Sequence, residues 1–265
     1  ARLMTDRSKF SRHAARQPVS MHMKGPACPK RNSTPLHALI DALYPERTNC
    51  ALCGTEDIIG GDRLCDACRA ALVPCPPLAC EAPLDGLAAG IVYEGPAADG
   101  IHAFKYGKRA DLARFFAAYI ALPAGWQVDR IVPVPLHPLK RWLRTFNQSA
   151  LLAGELARRY CRPLDERLLV RTRYTRTQTA LDAAARRANV ARAFAARPAA
   201  GLSILLVDDV TTTGGTLLAC AGALKDAGAA QVYALCACAA EAPSARALQH
   251  PGQRPEQQSL EPRYF

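Results

Sequence analysis

The stretch Ile204-Leu-Leu-Val-Asp-Asp-Val-Thr-Thr-Thr-Gly-Gly-Thr-Leu217 constrains the fold more than any other part of this chain. Ser203 to Val207 is an almost unbroken apolar run, the pattern of a strand buried on both faces. It ends in two carboxylates. A Thr/Gly-rich turn then opens a helix predicted from Gly215 to Ala227, closed by Gly228. The mouth of a helix presents unpaired N–H groups and positive partial charge, so a turn of this kind can grip a phosphate. Gly214 and Gly215 let the backbone wrap closely around an anion, and Thr212, Thr213 and Thr216 add hydroxyl donors. Asp208 and Asp209 stand where they can reach vicinal hydroxyls of an attached sugar, or a metal ion. A ribose 5-phosphate unit satisfies all these groups together. The plain alternative is a strand–turn–helix capped by threonine.

The flanking sequence alternates in kind. Strands are predicted at Leu87 to Tyr93, Val128 to Val134 and Gln231 to Ala237. Helices are predicted at Pro35 to Tyr44, Ala97 to Tyr106, Asp111 to Leu122 with Asp111 as cap, and Asn147 to Tyr160. Asn147 either caps that last helix or lines the site. Residues 171–187 are Arg/Thr-rich and turn-like. Apolar strands alternating with helices argue for an α/β fold with a mainly parallel sheet. The expected division is a disordered basic tail at 1–34, a helix plus cysteine module at 35–82, the α/β domain at 83–240, and a disordered tail at 241–265.

Eleven cysteines include two tight pairs, Cys50-Ala-Leu-Cys53 and Cys65-Asp-Ala-Cys68. Two such knuckles place four thiolates around one Zn²⁺, and soft sulfur selects zinc or an iron–sulfur cluster over hard cations. The segment holds too few large apolar residues to fold without a staple, so a structural zinc ribbon is expected. Cys75 and Cys80 lack knuckle spacing and are read as unliganded. Cys161, Cys220, Cys236 and Cys238 sit in apolar stretches and are read as small core residues. The odd count with paired knuckles suits a reducing compartment better than a disulfide framework.

The net charge is +11, unevenly placed. Residues 1–34 carry +7 and residues 140–197 carry +10, so the second segment points to an anionic partner or to a solvated basic face. No run of roughly 18 apolar residues occurs, so no membrane insertion is expected. The basic start has no apolar stretch before Pro26, which argues against a secretory signal.

Val207-Asp-Asp-Val-Thr-Thr-Thr-Gly-Gly-Thr216 resembles the PRPP-binding motif of type I phosphoribosyltransferases. With the two cysteine knuckles, Phe104-Lys-Tyr-Gly-Lys-Arg109, Val132-Pro-Val-Pro-Leu-His137, Arg144-Thr-Phe-Asn-Gln148, Arg176-Thr-Gln-Thr-Ala-Leu181 and Arg187-Ala-Asn-Val190 in that order, the chain is similar to the ComF/ComFC competence family, GntX-like members included, over roughly residues 36–239. Thr145 and Ala180 stand where that family usually has glycine. The resemblance implies a type I phosphoribosyltransferase-like parallel sheet flanked by helices, with a small N-terminal zinc ribbon of four cysteines. It implies that Asp208 and Asp209 act at the ribose, and that Val210, Thr211, Thr212, Thr213, Gly214, Gly215 and Thr216 hold the phosphate. Val134, Pro135, Leu136 and His137 would face the pyrophosphate, with Lys140 and Arg141 nearby. Lys105 would point at the site, and Arg171, Arg173, Arg176 and Gln178 would belong to a flexible hood. Mg²⁺ would accompany PRPP, and Zn²⁺ would sit on Cys50, Cys53, Cys65 and Cys68.

Three functions follow from the resemblance. The first is a cytoplasmic DNA-uptake protein that handles single-stranded DNA beside helicase and recombination proteins. The second is an active phosphoribosyltransferase of nucleotide salvage. The third is a non-enzymatic PRPP or nucleotide sensor. PRPP or a related phosphoribosyl ligand is expected in all three.

Overall fold

The computed structural model describes residues 49–56, 63–136, 146–172 and 193–240. Their elements are α1 (Asp66–Ala71), β1 (Gly86–Val92), α2 (Gly95–Tyr106), α3 (Leu112–Ala118), β2 (Arg130–Pro133), α4 (Gln148–Tyr160), β3 (Leu169–Arg171), β4 (Phe194–Ala196), β5 (Ser203–Thr211), α5 (Gly215–Asp226) and β6 (Gln231–Ala239). Four strands form one parallel sheet in the order β1-β6-β5-β2.

Successive side chains of a strand point to opposite faces, and here both faces are covered. On one, Ile131, Leu205, Val207 and Leu235 pack against Ile101 and Phe104 of α2, Phe116 of α3, and Leu152 and Leu156 of α4. On the other, Val132, Ile204, Leu206 and Val232 pack against Leu217, Cys220 and Leu224 of α5 and against Leu169 and Phe194. The chain therefore leaves β2 for a helix on one face and leaves the neighbouring β5 for a helix on the other. A crevice opens at the carboxyl ends of strands where the winding reverses in this way.

The structure corrects several expectations. β5 does not stop at Val207: it stays paired with β6 through Val210↔Cys238 and Thr211↔Ala239, so both aspartates lie inside the strand. The long apolar run of β6 supplies that partner edge. Helix α3 is shorter than expected, and Asp111 does not cap it. Its backbone is already helical, and its carboxylate accepts from Arg109 Nε and Nη2 at 2.8 Å each. Cys161 is exposed, in a left-handed conformation ending α4 at φ +52°, while Cys220, Cys236 and Cys238 are buried. Arg171 stands in a short antiparallel ladder, β3 with β4, rather than in a turn. Pro35 to Tyr44, both expected tails and residues 173–187 of the Arg/Thr-rich stretch, which include residues 173–178 of the expected hood, lie outside the described residues.

Candidate functional site: an acid pair beside an open helix mouth

Three elements converge on the carboxyl end of β5. The strand brings Asp208 and Asp209, and α5 begins just beyond them. Gly214 takes φ +70°, a left-handed conformation that suits glycine, and turns the chain from the strand into α5. No side chain caps that helix. A helix start without a side-chain cap is what an anion site requires. Thr212 and Thr213 are exposed, Gly215 and Thr216 half-buried, and Thr211 is buried.

Both aspartates have protein partners. Lys105 Nζ, at the end of α2, lies 3.0 Å from Asp209 Oδ1. Ser149 donates its hydroxyl to Asp208 Oδ1 at 2.7 Å, and the Asp209 amide donates to the same oxygen at 2.9 Å. Burial, and then the charge of Asp209, push Asp208 up to about 7, against the Ser149 and Asp209 donors that favour its ionised form.

The start of α4 organises this corner. Asn147 caps the helix, accepting from the Ser149 amide at 3.2 Å, and its own amide donates to Val134 O at 3.1 Å. Gln148 donates to the carbonyls of Phe104 and Lys105 at 3.3 and 3.4 Å, fixing the end of α2. Gln148 and Ser149 are buried polar residues whose roles sequence reasoning missed. Their signal was a run of three polar residues opening an otherwise amphipathic helix.

Of the pyrophosphate-side candidates, Val134 is buried and continues the β2–β5 pairing through its amide to Val207 O at 2.9 Å. Pro135 and Leu136 line a small cleft with Pro133, Asn147 and Glu166. Arg171 stacks over the Phe194 ring at 5.3 Å. The Thr172 amide donates to Ala193 O at 2.8 Å. His137, Arg173, Arg176 and Gln178 lie outside the described residues, as do Lys140, Arg141, Thr145 and Ala180.

The knuckle cysteines converge. The sulfurs of Cys50, Cys53, Cys65 and Cys68 all lie within 4.8 Å of one another, and Cys53 and Cys65 are 3.7 Å apart. A tetrahedral ion with bonds of about 2.3 Å sets its sulfurs about 3.8 Å apart, so the donor set and spacing fit zinc. Burial and the other three sulfurs push Cys68 far up. Burial likewise opposes ionisation at Cys50, but backbone donors at Cys65, Cys53 and Leu52 outweigh it and bring Cys50 down to about 6. Four thiolates crowded this closely need a cation among them. Cys75 and Cys80 lie outside the cluster. The module is docked on α2: a Cβ at Gly100 would collide with Leu52, and Arg109 reaches Ala51 O at 3.4 Å.

A parallel sheet, an acid pair at the end of its central strand and an uncapped glycine turn opening a helix define a phosphoribosyltransferase-like domain. The Phosphoribosyl transferase domain family matches residues 147–251. The chain is 37% identical over 155 residues to the DNA utilization protein YhgH of Escherichia coli K12, covering 55% of this chain and 68% of that protein. It is 38% identical over 93 residues to Competence protein F of Haemophilus influenzae, covering 34% and 41% respectively. The chain belongs to the ComF family of phosphoribosyltransferase-like proteins. Among solved structures, the allosteric regulatory enzyme of purine biosynthesis overlaps 50% of this chain and 26% of its own, with 23% identity and a TM-score of 0.33. Among the described residues, no helix is long and apolar enough to cross a membrane.

Proposed function

We propose that the crevice binds PRPP or a related 5-phosphorylated ribosyl ligand, and that the chain serves DNA utilisation by handling single-stranded DNA in the cytoplasm. The observation that carries the ligand reading is the uncapped mouth of α5 immediately after a largely buried acid pair. The phosphate takes the amides of Thr212 to Thr216, and Asp208 and Asp209 accept from the ribose hydroxyls through their second oxygens. The names of the relatives and the +10 charge of residues 140–197 support the DNA role, since a basic track neutralises a phosphate backbone. Helicase and recombination proteins of DNA uptake are the partners this reading implies. The four cysteines hold a structural Zn²⁺ that staples the two knuckles, Cys50–Cys53 and Cys65–Cys68, beside α2 and α3.

An active phosphoribosyltransferase is the second reading, favoured by the same completeness of the acid pair and helix mouth. Displacement at C1 of the sugar expels pyrophosphate, and the chain's part is to hold the reactants in line. Bound Mg²⁺ would supply charge neutralisation to the leaving pyrophosphate.

Calorimetry with PRPP and Mg²⁺ tests the ligand reading. Binding is expected in the wild type and lost in Asp209→Asn, and a wild type that takes up no PRPP refutes it. A base panel monitored for pyrophosphate release then separates enzyme from binder. A salt-dependent gel shift with single-stranded DNA, weakened by Arg171/Arg173/Arg176→Ala, tests the DNA role; no shift at low salt refutes that role.

A further inference from the structure

We propose that Lys105 is the resident counter-cation of the acid pair, so that Asp208 and Asp209 hold no divalent ion of their own. The inference extends the phosphoribosyl reading but stands on separate observations. Lys105 Nζ sits 3.0 Å from Asp209 Oδ1, in a site where the two side chains are only 20% and 9% exposed. Asp208 Oδ1 is already occupied by the Ser149 hydroxyl at 2.7 Å and the Asp209 amide at 2.9 Å. A hard divalent ion needs several oxygen ligands in a fixed array, and here one oxygen of each carboxylate is committed to a protein donor. The ammonium supplies one positive charge to Asp209. Burial holds the proton of Asp208 more tightly than usual, so the pair carries little uncompensated charge near neutrality.

The position of Lys105 is not incidental. It ends α2, a helix pinned at Gly100 by Leu52 of the cysteine module, at Phe104 by the core, and at its last carbonyls by Gln148. Pinning the helix end fixes where the Lys105 backbone stands, and the ion pair with Asp209 orders the side chain that reaches from it. Lys105 is a positioning residue: it acts through Asp209, orienting that carboxylate and leaving Oδ2 of each aspartate to accept hydroxyls. The sugar then binds with metal-independent affinity, and any Mg²⁺ is carried by the ligand's own phosphates.

The test uses the full, zinc-loaded chain with Mn²⁺ as a spectroscopic probe. Without ligand, the wild type is expected to show no Mn²⁺ site tighter than about 1 mM. Lys105→Met is expected to gain Mn²⁺ affinity by about tenfold or more. Adding Asp209→Asn to Lys105→Met removes that gain, and Lys105→Arg behaves as the wild type. In calorimetry with ribose 5-phosphate, wild-type affinity is unchanged between chelator-free buffer without Mg²⁺ and the same buffer with Mg²⁺, so that the structural zinc is retained, whereas Lys105→Met binds about tenfold more weakly without Mg²⁺. A wild type that binds Mn²⁺ at micromolar strength through Asp209 overturns the proposal, as does a Lys105→Met chain indistinguishable from wild type in Mn²⁺ binding. Should ribose 5-phosphate bind to no variant, the phosphoribosyl reading falls, while the Mn²⁺ measurement still decides the role of Lys105.

Discussion

Asp208→Asn should stabilise the protein above neutral pH while weakening the ligand site. The carboxyl is moved from its ordinary 3.8 to about 7, chiefly by burial and then by Asp209. A raised value means the folded chain holds the proton more tightly than the unfolded chain. The associated stability is fully present below about pH 4 and is lost as pH climbs through about 7. At about 1.4 kcal/mol per tenfold change in proton affinity, the upper bound on that loss is about 4 kcal/mol. Asp208 is only half-buried, and solvent screening reduces the realistic figure to about 1–2 kcal/mol. The amide of asparagine cannot ionise, and its oxygen still accepts from Ser149 and from the Asp209 amide. For a domain of this size, about 2–4 °C per kcal/mol gives a Tm gain of about 2–8 °C over wild type at pH 8, with no comparable gain at pH 5. Thermal unfolding of both proteins at the two pH values measures this, and calorimetry should show weaker phosphoribosyl binding at pH 8. An equal shift at both pH values, or a lower Tm for the variant at pH 8, refutes the assignment of an unfavourable buried charge to Asp208.

Further perturbations address the other parts of the structure. Metal analysis should find about one Zn²⁺ per chain, lost in Cys50→Ser or Cys65→Ser with a lowered Tm, because Cys50, Cys65 and Cys68 belong to the same core as α2 and α3. Gly214→Ala places a side chain at φ +70° with nothing within 4 Å of its Cβ, so the cost is backbone strain of about 1 kcal/mol, seen as a small drop in Tm and a larger loss of phosphate-ligand affinity. Gly100→Val drives a side chain into Leu52 and Phe116, and should cost about 1–3 kcal/mol in chemical denaturation while exposing the cysteines to a thiol reagent. Asp85 accepts from the Val232 amide at 2.6 Å and pairs with Lys225 at 2.8 Å. Burial opposes its ionisation, but Lys225 and the Val232 amide outweigh it and hold its carboxyl below the ordinary value. The stability it contributes is present above that ordinary value and fades as pH falls, so Asp85→Asn should lower Tm at pH 7 more than at pH 3.

The turn after β5 was legible in the chain because its signals are local. An apolar run, adjacent carboxylates and two glycines before a helical stretch each act over a few residues, and so does the spacing of the paired cysteines. The same locality made most strands and helices readable, since burial on both sheet faces or on one helix stripe imprints a period. Pairings between distant segments carry no such imprint. Whether β5 stops at Val207 or runs on to Thr211 depends on how far β6 extends beside it. β3 and β4 have only three residues each, too few for a period, and exist because each is the other's partner over α5. That Lys105 meets Asp209, that Ser149 serves Asp208 and that Leu52 fills the gap left by Gly100 follow from strand order and from which face each helix covers. Local chemistry set the carboxylates and the glycine turn at the end of β5; long-range packing decided which charges and donors stand beside them.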